Sequence, residues 1–319
     1  MLGVIGSSPV LPTIFCVRSI AAFMSLPRWL TVLLVYIGIL SIAACVAPMF
    51  YLLVHTIEGV WSIECLRYLA NKPLECYVDR LRVIIGCIVV FVAVHKSPKI
   101  YSWNLRHGFL TYVKTFIFGV FTWITLFFAI RSFVSTVEIK TTPTASLLLQ
   151  AFIAGLSLAI AEEVIFRGFL WDFVRNGRRT FDGLIPLSIV FALLHFSHCN
   201  AGNASNLLIQ SFQCAFRSLT DIPQRFSLEF FLCVFLLSLL LGMFRLRTQT
   251  LWSSIGFHQG LIMMLFVLRK YIRYPEVSTS HFWGTGRLTD AWFVVLILCL
   301  LCMFMFVRTK KQSSFPTKI

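Results

Sequence analysis

The chain is poor in charge, and in acidic charge above all. Of its 319 residues only thirteen are Asp or Glu, and Asp, Glu, Lys and Arg together make up 13%. A soluble domain carries about a quarter charged residues, so the shortfall excludes a protein that folds in water. No internal repeat, low-complexity tract or second domain breaks the sequence. A cleavable signal peptide is also missing. The first apolar stretch, roughly residues 9–24, is short, is interrupted by Pro12 and Arg18, and leads to no clean small-residue cleavage site.

Apolar residues take the place of charge. The composition is 58% hydrophobic, with 32 Phe and eight Trp, and the mean hydropathy is +0.84. This is the make-up of a polytopic membrane protein with aromatic residues facing lipid and its interfaces. The formal net charge of +15 would suggest nucleic acid in a soluble chain. Here the basic residues lie in short loops between apolar runs, where anionic lipid is the partner to expect and nucleic acid is not.

Bilayer spans need about twenty apolar residues, fewer when neighbours shelter them. On that basis the sequence predicts an all-α bundle of eight spans at 30–54, 82–95, 109–134, 145–174, 184–197, 229–245, 251–268 and 291–307. The second and fifth are short. The fourth is longer than a span and should project past the membrane surface with Arg175, Arg178 and Arg179. The chain divides into an N-terminal interfacial segment (1–29), N-terminal membrane helices (30–140), a helical core (141–270), and a last helix with a basic tail (271–319). The LLIQSFQCAF portion of the 198–228 connection reads as an interfacial helix. Eight spans put both termini on one face, and basic loops slightly favour the cytoplasm for it. Short loops and a compact bundle suggest a bacterial inner membrane.

Five of the ten cysteines (Cys45, Cys87, Cys233, Cys299, Cys302) lie within apolar runs, where a free thiol behaves as a small hydrophobe. Cys65 with Cys76, and Cys199 with Cys214, fall in polar loops on the outer face, where disulfides form.

Against this background the run AIAEEVIFRGFL stands out, with Glu162, Glu163 and Arg167 inside an apolar stretch. Each charge at membrane depth costs about 2.5–3.5 kcal/mol on insertion scales. On a helix Glu163 and Arg167 share a face, with the acid N-terminal to the base, the favourable order. Glu162 points about 100° away, toward a different neighbour. This predicts that Arg167 holds Glu163 and leaves Glu162 free for chemistry. Two carboxylates so close do not titrate independently.

Two further polar groups come from other spans. His195 closes the fifth, one turn after Phe191, and His258 lies early in the seventh, one turn after Ser254. A single intramembrane histidine is more often a packing residue or tether than a catalyst, and a Glu–Arg pair can simply fix helix register. Three spans that each carry a costly polar residue are harder to explain without a shared pocket. There a carboxylate beside a histidine activates water, and a second histidine stabilises an oxyanion. Zinc on Glu162, His195 and His258 is a weaker alternative. The chain lacks HExxH, whose ligands one turn apart preorganise such a site.

The order EExxxR (Glu162 to Arg167), FxxxH (Phe191 to His195), then a histidine within TxxLWxSIGxH (Thr248 to His258) resembles the CAAX prenyl protease and bacteriocin-processing, or abortive-infection, family of intramembrane proteases. The resemblance covers roughly 145–268. It implies that Glu162 and His195 activate the attacking water, that Glu163 and Arg167 support them, with Phe191 beside them, and that His258 helps bind the oxyanion. It implies a membrane-associated protein or peptide substrate; members of the family are described both as metalloproteases and as metal-free glutamate proteases, and the metal-free mechanism is the one favoured here. One departure matters. The family's HxxxN ends here in Ile262, which donates no hydrogen bond, and Gln259 faces elsewhere on the helix. Ile262 supports a rival, a catalytically silent scaffold or immunity-type protein on the same fold. A transporter is the second rival, disfavoured because no repeated halves or paired broken helices are visible.

Overall fold

The computed structural model describes residues 28–61, 63–95, 105–133, 138–139, 144–175, 183–198, 205–273, 282–284, 289 and 291–313. These are almost wholly helical. In chain order they form α1 (Arg28–Val60), α2 (Glu64–Ala70), α3 (Leu74–His95), α4 (Leu105–Phe133) and α5 (Ala145–Glu163). A π turn (Val164–Leu170) then runs into α6 (Trp171–Arg175), followed by α7 (Leu184–Leu194), α8 (Leu207–Thr220), α9 (Ile222–Arg225), α10 (Leu228–Thr248), α11 (Trp252–Tyr271) and α12 (Trp292–Ser313). Among the described residues the extended backbone is a two-residue antiparallel ladder, Glu138–Ile139 against Ile272–Arg273.

Each run expected to span is helical, but only five helices are long and apolar enough to cross a membrane: Leu30–Val60, Gly108–Phe133, Ala145–Leu170, Leu228–Thr248 and Trp292–Thr309. The chain is an integral multi-pass membrane protein on that evidence. The shortfall has a physical cause. Helix α11 carries Ser253, Ser254, His258 and Gln259, which lower its hydropathy, yet everything from Ser253 to Leu261 is buried by neighbouring helices. Helix α7 has only 11 residues, and α3 begins with charged Glu75, Asp79, Arg80 and Arg82. Two boundaries also move. Helix α1 continues through Pro48 to Val60, and α3 starts at Leu74, eight residues before the expected point.

Local signals explain several ends. Thr144 caps α5 by accepting from the Leu147 N–H and Asn206 caps α8 through Oδ1. Gln249, at φ 57°, stops α10 in the left-handed region, and its N–H closes on the Arg245 carbonyl. The chain then turns straight into α11, the central element, which packs on α4, α5 and α10. Close approach to α4 depends on glycine: a Cβ at Gly256 would strike the Tyr112 carbonyl oxygen, and one at Gly260 would lie 2.8 Å from the Val120 nitrogen. This small-xxx-small spacing lets two helix backbones meet in a membrane.

Helix α8 is the interfacial candidate, and it is inverted relative to a soluble helix. Ser211, Cys214, Ala215 and Ser218 are buried, whereas Leu208, Ile209, Phe212 and Phe216 are exposed. Cys214 is disulfide-bonded; Cys199, its expected partner, lies outside the described residues. Cys76 is a free thiol on α3, so the bridge expected between it and Cys65 is not formed. Cys45, Cys87, Cys233, Cys299 and Cys302 are free, as their apolar settings suggest. The N-terminal interfacial segment, like Arg178 and Arg179, lies outside the described residues save for the start of α1.

Candidate active site

Glu162 and Glu163 are the last two residues of α5, and the π turn begins immediately after them. The sequence reads as uninterrupted α-helix there. A π turn has no clear residue signature, and such turns occur mostly at functional sites. The Glu163–Arg167 pair survives the wider turn, with Arg167 Nη1 donating to Glu163 Oε1 at 2.8 Å and both side chains buried. Arg167 Nη2 donates to the Ser238 hydroxyl at 2.7 Å and to its carbonyl at 3.2 Å. The guanidinium carbon lies over the Phe191 ring, 4.4 Å from its centroid, a cation–π contact. Arg167 thereby ties the π turn to α10 and α7. Ser238 was not anticipated, although a lone hydroxyl in the run FLLSLLLG is the same kind of signal as the histidines.

His258 enters from α11 and lies between the two carboxylates. Its Nδ1 is 2.9 Å from Glu163 Oε1, and its Nε2 is 3.7 Å from Glu162 Oε2. Glu162 and Glu163 therefore meet one imidazole rather than facing separate neighbours, which corrects the expectation from helical geometry. The division of labour holds in another form. Glu163 is buried and engaged by Arg167 and His258, whereas the Glu162 side chain keeps 22% exposure. Glu162 Oε2 has no hydrogen-bond partner among the described residues.

His195 sits just past the end of α7. Its Nδ1 is 2.8 Å from the Phe191 carbonyl oxygen. A carbonyl only accepts, so Nδ1 carries a proton and donates it, which leaves Nε2 as the nitrogen available for chemistry. The Phe191 ring lies between the histidines, with centroids 4.5 Å from His195 and 6.1 Å from His258. Through Phe191, α7 meets the π turn at Arg167 and α11 at His258.

Gln259 is buried and spent elsewhere. Its Oε1 accepts from the Tyr112 hydroxyl, and its Nε2 donates to the Phe152 carbonyl at 3.2 Å. It locks α11 to α4 and α5 and does not replace a missing donor. Ile262 packs among Tyr112, Ala159, Leu251 and Ile255, an apolar setting. Among the described residues no three His, Cys, Asp or Glu side chains are gathered closely enough to hold a metal ion. Glu162, His195 and His258 as placed do not fit a zinc site.

Residues 144–264 match the family model for type II CAAX prenyl endopeptidases of the Rce1-like kind. The chain resembles that endopeptidase family from the cap of α5 into α11. The matched stretch holds Glu162, Glu163, Arg167, Phe191, His195 and His258, while α1 to α4 and α12 lie outside it. No curated protein and no solved structure matches the chain.

Proposed function

We propose that this protein is an intramembrane endopeptidase that hydrolyses a peptide bond with water activated by Glu162 and His195. The observation that carries the proposal is the partly exposed Glu162 carboxylate, whose Oε2 has no hydrogen-bond partner among the described residues and faces a histidine that a second, buried glutamate holds in place. Glu162 takes a proton from the water, the resulting hydroxide adds to the scissile carbonyl, and the proton passes to the leaving amine. His195 assists through Nε2. A gap of 3.7 Å between Glu162 Oε2 and His258 Nε2 is too long for a direct bond and suits a bridging water.

The role of His258 follows from geometry. Its Nδ1 is engaged by the buried Glu163, which turns Nε2 toward Glu162 and the reacting carbonyl, where an N–H donates to the oxyanion. Glu163 and Arg167 hold that imidazole in register. No step is routed through a metal. The substrate is a membrane-associated protein or peptide that reaches the bundle from lipid, and the match to prenyl endopeptidases makes a prenylated C-terminal segment the first to try. All eight helical runs then span or enter the bilayer, with the termini on the cytoplasmic side.

Ile262 favours one rival, a silent member in which the oxyanion has too few donors. The test is cleavage of an internally quenched peptide bearing a farnesylated cysteine near its C-terminus by the purified chain in proteoliposomes. Release of a defined fragment supports the proposal. Intact peptide, together with intact bacteriocin-leader and membrane-protein substrates, would hand the fold to the silent reading.

A further inference from the structure

His195 stands on a weak piece of backbone. Helix α7 ends at Leu194, and the backbone N–H groups of the next three residues make short-range bonds: His195 N to Ala192 O at 3.2 Å, Phe196 N to Leu193 O at 3.1 Å and Ser197 N to Leu194 O at 3.1 Å. The last carbonyls of a helix have no partner within it. Three residues beyond the helix Ser197 is fully buried, and its carbonyl also needs a partner.

That partner comes from outside the stretch that matches the endopeptidase family. Arg82 of α3 donates from Nη1 to both the Ser197 carbonyl and the Ser197 hydroxyl, each at 3.0 Å. Its Nη2 lies 3.1 Å from Asp79 Oδ1 one turn earlier, which aims the guanidinium. The Tyr36 hydroxyl of α1 lies 3.2 Å from the same Ser197 hydroxyl. One turn after Arg82, Gly86 brings the α3 backbone against the π turn, where an added Cβ would lie 3.7 Å from Ile165. Helix α3 therefore touches both halves of the site, the π turn that follows the glutamates and the turn that bears His195.

We infer that Arg82, braced by Asp79 and assisted by Tyr36, is a positioning residue that clamps Ser197 and so fixes the orientation and tautomer of His195. This rests on the proposed hydrolase and adds to it a role for helices the family match does not include. The planar guanidinium places Nη1 on both oxygens of Ser197 while Nη2 stays on Asp79, a fixed fork that a lysine ammonium reproduces only loosely. With the clamp gone, the turn keeps its tether at His198, whose carbonyl accepts from Arg225 Nη1 at 2.7 Å, but Ser197 loses the Arg82 bonds that hold it, and the Nδ1–H bond of His195 to Phe191 loosens with it.

The test has two independent arms on the full chain in nanodiscs. The first reads the His195 tautomer by ¹⁵N NMR of histidine-labelled protein, with the signal assigned by its loss in His195→Gln. Wild type should show the Nδ1–H form, Arg82→Ala a mixture of both forms, and Arg82→Lys a partial return. The second arm is turnover of the farnesylated peptide: Arg82→Ala should lower kcat at least tenfold with KM within twofold, and Arg82→Lys should recover part of it. Where Arg82→Ala does not fold, Tyr36→Phe and Ser197→Ala replace it, with smaller shifts in the same direction. An unchanged His195 tautomer in a folded clamp variant overturns the inference, as does a loss confined to KM. If wild type cleaves nothing, the hydrolase proposal is in difficulty while the tautomer arm still decides the clamp.

Discussion

Replacing Arg167 with Met puts the sharpest strain on the account. The substitution keeps an unbranched side chain of similar reach beside Phe191 and removes one charge. It leaves Glu163, which is fully buried, with only the imidazole of His258 and the hydroxyl of Ser254 among the described residues, and it strips both bonds from Ser238. Breaking a buried ion pair by deleting one partner costs about 3–5 kcal/mol, because the remaining charge stays buried and uncompensated. Glu163→Gln alone should cost a similar amount, since it strands the guanidinium instead. The pair together should cost less than either alone, because a neutral amide beside Met leaves no orphan charge in the pocket. The assay is unfolding by SDS in mixed micelles, read from tryptophan fluorescence and extrapolated to zero denaturant. A loss below about 1 kcal/mol for Arg167→Met, or strictly additive costs in the double variant, would refute the claim that this pair anchors the site.

Other outcomes follow from the same geometry. Gly260→Ala forces a Cβ to within 2.8 Å of the Val120 nitrogen and should destabilise the bundle by about 1–3 kcal/mol. Gly38→Ala meets no atom within 4 Å and should be neutral or slightly stabilising, and equal effects at the two sites in the SDS assay would deny the tight α4–α11 seam. Ile262→Asn places a donor one turn beyond His258, and cleavage of the farnesylated peptide should rise roughly tenfold or more, given that one oxyanion donor is worth about 100- to 1,000-fold. Unchanged turnover there would mean that Ile262 only packs. Preincubation with phenanthroline should leave the rate within about twofold, since no step here is routed through a metal; loss reversed by added zinc would reinstate a metal site.

The fold and the site were legible to different depths. Long apolar runs with capping residues, such as Thr144, Asn206 and Ser227 at the starts of α5, α8 and α10, mark helices whatever surrounds them. Whether a helix crosses the bilayer is less readable, because α11 hides polar residues behind its neighbours and so falls short on composition. The charged residues of the site could be picked out from cost alone, since Glu162, Glu163, Arg167, His195 and His258 are expensive where they stand. Their partners could not. That His258 would lie between both glutamates depends on how α11 is rotated, which its glycines and Gln259 set through contacts with α4 and α5. The π turn depends on tertiary packing rather than on any residue type, and the clamp on His195 comes from residues 36 and 82, far away in sequence and ordinary in character.

Glu162→Gln tests the central claim most directly, because it removes the proton acceptor while keeping the shape of the side chain. The account predicts that farnesylated-peptide cleavage falls to background while the SDS-unfolding midpoint stays at the wild-type value. Full turnover in a folded Glu162→Gln protein would contradict it.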